Sequence, residues 1–137
     1  MATILIVDDH VDSGQLLARL LIARNHRAAA VSSGVDAIDW LASRTPDLVI
    51  TDMMMPGLDG LALVRVIRGE DRLKHLPVVI FSAVADQQFC QYAVREGATA
   101  CWVKGSMDPS QVVLHLEKLL PPDPSRPPSP DINAQAG

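Results

Sequence analysis

Residues 4–10 read ILIVDDH: four branched aliphatic side chains in succession, then two adjacent carboxylates, Asp8 and Asp9. A strand with one wet face alternates apolar and polar residues. A continuous apolar run needs cover on both faces, as in a parallel sheet between helices. The runs DLVIT at 47–51 and PVVIF at 77–81 have the same character, and ACWV at 100–103 and a weaker RAAAV at 27–31 complete five strand candidates.

Helical periodicity fills the intervals. Leu16, Leu17, Leu20 and Leu21 make i, i+4 pairs in a helix expected over 13–24, with Asn25 as its stop. Over 34–43, Val35, Ile38 and Leu41 are expected to face inward, and Ser33 to cap the first turn with Asp36 three positions on. Leu61, Leu63, Val64 and Ile67 mark a helix over 59–68, and Phe89, Ala93 and Val94 one over 85–95. The last helix opens at Asp108–Pro109, carries Val112, Val113, Leu116 and Leu119, and stops at Pro121–Pro122. Five β–α repeats with right-handed connections imply an α/β fold: an open, doubly wound sheet of five parallel strands with helices on both faces.

Composition bounds the function. The chain has 137 residues, a formal net charge of −4, 48% hydrophobic and 20% charged residues. This suits one soluble domain and argues against nucleic-acid binding by bulk charge. No apolar run approaches the ~18 residues of a membrane span, and no secretion signal is read at the N-terminus, so a cytoplasmic location is expected. The domain is expected over residues 1–120. Residues 121–137, PPDPSRPPSPDINAQAG, hold six prolines and read as a disordered tail or a linker. Cys90 and Cys101 belong to no CxxC pair and read as two reduced core thiols. His10, His26, His75 and His115 show no metal-ligand spacing and read as ordinary surface or satisfied residues.

Each strong strand ends in a distinctive polar residue: Asp8–Asp9 after the first, Asp52 after the third, Ser82 at the fourth, Lys104 after the fifth. In an open parallel sheet the carboxyl ends share one edge, where ligands bind. Three carboxylates and one ammonium sum to −2, and crowded carboxylates need a cation. An all-oxygen acidic site suits a hard divalent ion, foremost Mg²⁺, which keeps waters and partners phosphate. Lys104 offers a point charge and Ser82 a hydroxyl for a phosphoryl group, and Asp52, between the acid pair and Ser82–Lys104, is the candidate nucleophile for an aspartyl phosphate.

With these residues in place, the chain resembles the receiver domain of bacterial two-component response regulators. The matching stretches are ILIVDD, SGVDAIDWL, PDLVITDMMMPGLDG, LPVVIFSA and EGATACWVKG, spread over residues 3 to about 119. The resemblance implies a flavodoxin-like sheet of order 2-1-3-4-5. It implies that Asp52 takes a phosphoryl group from a phosphohistidine on a sensor histidine kinase or histidine phosphotransfer protein. Mg²⁺ would be held by Asp9, Asp52 and the main-chain oxygen of Met54, with Asp8 acting through water. Lys104 and Ser82 would bind the phosphoryl group and shift the fourth helix, fifth strand and fifth helix toward a downstream protein partner. Outward positions there are Gln87, Gln88, Gln91, Tyr92 and Arg95, and dimerisation through them is left open. The chain would be no enzyme beyond its own phosphorylation and slow dephosphorylation.

Several positions depart from the family pattern. Cys101 stands three before the lysine, where most relatives carry an aromatic switch residue; it reads as gap-filling or, in the sharper reading, redox-active. Trp102 is expected on the opposite face, as core packing. Gly105 replaces the usual proline. Met54 and Val84, apolar at positions that tune phosphoryl lifetime in relatives, cannot orient water and imply slow hydrolysis. An Asp-nucleophile phosphatase would need a second Asp two positions on, which neither Asp52 nor Asp8 has. A flavin carrier would need a Ser/Thr/Gly-rich phosphate loop where DDHVDSG stands. An adaptor receiver that takes no phosphate, and a receiver cut from a larger regulator, stay as alternatives; no DNA-binding helix-turn-helix follows in this sequence.

Overall fold

The computed structural model describes residues 2–83 and 86–121, so the expected proline-rich tail from residue 122 and the expected role of Val84 lie outside the described residues. The elements run β1 (Thr3–Val7), α1 (Val11–Ala23), β2 (Arg27–Val31), α2 (Gly34–Ser43), β3 (Leu48–Thr51), α3 (Gly60–Gly69), β4 (Val78–Ser82), α4 (Gln87–Arg95), β5 (Ala100–Val103) and α5 (Pro109–Leu119). The strands form one parallel sheet in the order β2-β1-β3-β4-β5. The expected doubly wound, flavodoxin-like α/β architecture is therefore the observed one.

Strand pleating divides the core into two layers. Leu5 and Val7 of β1, Val49 of β3, and Val78 and Ile80 of β4 face Ala37, Leu41, Leu63, Val64, Ile67 and Ala93 of α2, α3 and α4. Ile4 and Ile6, with Leu48, Ile50 and Val79, face Leu17, Leu21, Val112, Val113 and Leu116 of α1 and α5. The central strands β1, β3 and β4 are the ones with continuous apolar runs, because only they are covered on both faces and paired on both edges. The β2 run RAAAV sits at one edge and is half-exposed.

The helix ends follow local chemistry. Ser33 Oγ accepts from the Asp36 N–H at 3.0 Å, and Asp108 and Gln111 form a reciprocal capping box beneath Pro109. Asn25 follows α1 at φ 68°, the left-handed geometry that stops a helix.

Val35, expected inward, points out and is 65% exposed, and two other residues of the helical apolar patterns are exposed as well, Leu16 at 47% and Val94 at 48%. Successive helical residues diverge by about 100°, so of the adjacent pairs Leu16–Leu17 and Ala93–Val94 only Leu17 and Ala93 meet the sheet, and in α2 it is Ala37, two residues past Val35, that is buried.

The reading of Cys90 and Cys101 as separate reduced thiols is also corrected: the two are joined in a disulfide, with Cα atoms 5.1 Å apart. The chain leaves α4, turns at Gly97 and returns in β5, which brings two positions eleven residues apart onto facing surfaces. Spacing alone carries no trace of this. Trp102, one residue on, points to the α5 side as expected, its ring 5.7 Å from that of His115.

His26 is buried and lies 2.7 Å, Nε2 to Oε2, from Glu117 of α5, whose other oxygen accepts from Arg24 Nε at 2.7 Å. This ties α5 to the start of β2. Its Nδ1 has no hydrogen-bond partner among the described residues, so His26 is satisfied on one nitrogen only.

Leu63 is fully buried in the layer beneath α3. Leu63→Ala should lower unfolding free energy by about 2–5 kcal/mol, read as a lower urea midpoint with an unchanged m-value.

Candidate functional site

Parallel register builds the site. Val7 pairs with Thr51, so the residues that follow them, Asp8 and Asp52, leave the sheet side by side. The Asp52 N–H donates to Val7 O at 2.8 Å, and the Asp8 N–H to Val31 O at 3.0 Å. Ser82 pairs with Val103, which puts Lys104 next along β5, its N–H on Ser82 O at 2.9 Å. Four stretches far apart in sequence thus open onto one cleft, lined by Asp9, His10, Ser13, Asp52, Met54, Ser82, Ala83 and Lys104.

Lys104 Nζ donates to Asp8 Oδ2 at 3.0 Å and to Asp52 Oδ2 at 3.2 Å. Asp8 and Asp52 are buried, Asp9 is exposed, and one carboxylate oxygen from each of the three lies within 4.8 Å of the others. The other Asp8 oxygen accepts the His10 N–H at 2.9 Å. Burial pulls the Lys104 ammonium toward deprotonation. The hydrogen bond and charge of Asp8, and then of Asp52, outweigh that effect and hold its pKa above the ordinary lysine value.

The loop after Asp52 is set by glycine. Gly57, at φ 77°, turns the chain after Pro56. A Cβ on Gly60 would collide with the carbonyl oxygen of Asp52, so the first turn of α3 can lie against the acid's backbone only because that position is bare.

Of the site residues expected from sequence, Asp8, Asp9, Asp52, Met54, Ser82 and Lys104 converge. Cys101 does not reach the cleft: it faces α4 and is bonded to Cys90. The Lys104–Gly105 peptide is trans, and Gly105 takes φ 90°, a conformation closed to proline. Two further residues border the site that the sequence pattern did not single out: Thr51, buried beside Asp52, whose Oγ1 donates to the Asp52 carbonyl at 2.9 Å, and Phe81, whose ring centroid lies 5.8 Å from Lys104 Nζ. Thr51 is the one polar residue in its strand, which is the signal that could have flagged it.

The model of the response regulator receiver domain matches residues 4–117. The chain belongs to that family. This receiver is 35% identical to the chemotaxis protein CheY of Pseudomonas aeruginosa over 102 residues, 74% of this chain and 82% of CheY. It is 36% identical to the DNA-binding transcriptional regulator NtrC of Escherichia coli over 93 residues, 68% of this chain and 19% of NtrC. The receiver thus spans about a fifth of that larger relative. Among solved structures, CheY4 of Vibrio cholerae superposes with a TM-score of 0.80 at 23% identity, covering 88% of this chain and 99% of CheY4, a likeness of fold. Membership in the family supports a phosphoacceptor role for this receiver. No described helix is long and apolar enough to cross a membrane.

A lysine pKa raised by folding contributes stability that is complete below the unfolded value, 10.5, and is lost as pH rises through the higher folded value. In metal-free buffer, wild type should therefore exceed Lys104→Gln in stability by a constant margin at neutral pH, shrinking at strongly alkaline pH. Urea unfolding of both proteins along a pH series measures that margin.

Proposed function

We propose that Asp52 is the phosphoacceptor of a two-component phosphorelay, taking its phosphoryl group from a phosphohistidine on a sensor histidine kinase or histidine phosphotransfer protein in the cytoplasm. The observation that carries this reading is the ammonium of Lys104 spanning Asp8 and Asp52 in a cleft shared with Asp9 and Ser82.

The donor set fits a hard divalent cation: three carboxylates with oxygens within 4.8 Å of one another, and no soft ligand among them. Asp8, Asp9, Asp52 and the main-chain oxygen of Met54 would hold Mg²⁺. When bound, the ion supplies the positive charge that offsets the carboxylates and the incoming phosphoryl oxygens. An Asp52 carboxylate oxygen attacks phosphorus in line as the P–N bond breaks. The imidazole leaves with the electron pair and takes up a proton, and an acyl phosphate remains on Asp52.

Lys104, already aimed at Asp52, pairs with the new oxygens, and Ser82 offers its hydroxyl from the end of β4. The phosphoryl group biases α4, β5 and α5 only through its unequal contacts with two arrangements of these elements. Gln87, Gln88, Gln91, Tyr92 and Arg95 of α4 are exposed and available to a downstream protein or a second copy. The net charge of −4 disfavours output through nucleic acid by this chain. Beyond its own phosphorylation and slow dephosphorylation the domain catalyses nothing.

Incubation with Mg²⁺ and a small phosphodonor, followed by intact mass, should show one phosphoryl adduct in wild type and none in Asp52→Asn or with chelator present. Absence of an adduct from either donor or kinase would favour the adaptor reading. Met54, 61% exposed at the cleft, carries only a thioether and orients no water. The adduct should therefore persist in purified protein well beyond the labelling reaction, and rapid loss without an added phosphatase would contradict that lifetime.

A further inference from the structure

We propose that Cys90 and Cys101 are a reversible redox pair whose oxidation clamps α4 to β5 and restrains phosphoryl uptake at Asp52; the restraint rests on the phosphoacceptor reading above. The two cysteines are joined across the α4–β5 contact, with Cα atoms 5.1 Å apart. Cys101 precedes Lys104 by three residues on β5, and Cys90 lies in the first turn of the helix that follows Ser82. The bridge therefore ties β5, which leads directly into Lys104, to the helix that comes next in the chain after β4 and its terminal Ser82. Where relatives place an aromatic ring free to rotate, this chain has a covalent tether.

A purely structural role explains the bridge poorly. It closes a loop of eleven positions, and such a bridge withdraws less entropy from the unfolded chain than one closing a longer loop. The segment it closes is already held by the Ala98 N–H on Ala93 O at 3.0 Å and by the pairing of β5 with β4. The two core layers are built from aliphatic side chains of every element. What the bridge adds is a limit on relative movement. In a reducing compartment, disulfides are chiefly transient and redox-sensing. Both cysteines are half-buried rather than sealed, and Cys90 lines a shallow groove with Gln87, Gln91, Val94 and Arg95, where a small reagent can reach it.

The chemistry balances by thiol–disulfide exchange with a small-molecule disulfide. The Cys90 thiolate attacks one sulfur of the oxidant, forming a mixed disulfide and expelling one thiolate. The Cys101 thiolate then attacks Cys90 Sγ and expels the second. Two cysteine thiols are oxidised, one external disulfide is reduced to two thiols, and the two protons pass to the leaving thiolates. A dithiol reverses both steps.

The test uses the full chain, reduced or treated with oxidised glutathione, together with Cys90→Ser. Each sample receives Mg²⁺ and a small phosphodonor, and intact mass follows both phosphoryl and thiol content. Oxidised wild type should lose two hydrogens, retain no glutathione, and label about tenfold more slowly than the reduced form, a barrier raised by about 1.4 kcal/mol. Reduction should restore the rate, and Cys90→Ser should label like reduced wild type whether or not oxidant is present. Equal or faster labelling of the oxidised form overturns the clamp while leaving Asp52 as acceptor. Thiols that stay free, or that retain glutathione, overturn the pair. No labelling in either state overturns the phosphoacceptor reading and the clamp with it.

Discussion

Everything in this receiver depends on five parallel strands ending at one level. Val7 opposite Thr51, and Ser82 opposite Val103, are backbone pairings that involve no functional side chain. Yet they decide that Asp8 meets Asp52 and that Lys104 arrives beside both. A slip of one residue in any pairing would turn every side chain of that strand to the opposite face, exchanging the two core layers and dispersing the cleft. Because the runs are apolar on both faces, it is the size of the side chains in each layer and the charged residues at the strand ends that oppose such a slip.

The cleft stores an electrostatic imbalance. Three carboxylates share a small space, and the Lys104 ammonium answers two of them while remaining partly exposed. That contact supports the fold while leaving net negative charge. A cation entering the cleft would reduce that excess and an anion would add to it, with the Lys104 ammonium within hydrogen-bond reach of both buried acids. Glycines shape the approach, with Gly60 giving way to the Asp52 backbone and Gly105 turning the chain directly after Lys104.

α4 is held to the fold differently from α3 and α5. α5 is anchored through Glu117 to His26 and Arg24. α3 is anchored through Arg68, which donates to the carbonyls of Leu76 and Gly97 at 2.6 and 2.9 Å. α4 buries one alanine completely, presents a largely polar outer face, meets α3 through exposed bonds from Arg65 to Tyr92 and Glu96, and is held to β5 by the disulfide. A lightly packed helix joined by one covalent bond is suited to having its freedom set by the state of that bond.

Much of this could be read from the sequence, for definite reasons. Strand runs, helix caps and the polar residue at each strand end are local signals. The rule that parallel strands share a carboxyl edge converts them into a site without further geometry, which is why Asp8, Asp9, Asp52, Ser82 and Lys104 were legible in advance. Local signals fail where two apolar neighbours compete for one face, as Leu16 and Leu17 do, because only the lie of the helix on the sheet chooses between them. They fail again for His26 with Glu117 and for Cys90 with Cys101, whose partners are selected by how α5 and α4 return to the sheet. The sequence by itself determined the order of elements and the composition of the acidic edge, since both follow from short-range pattern. Tertiary structure alone decided which apolar neighbours are buried, which ion pairs form and that the two thiols meet, since each depends on how separate elements pack against one another in space.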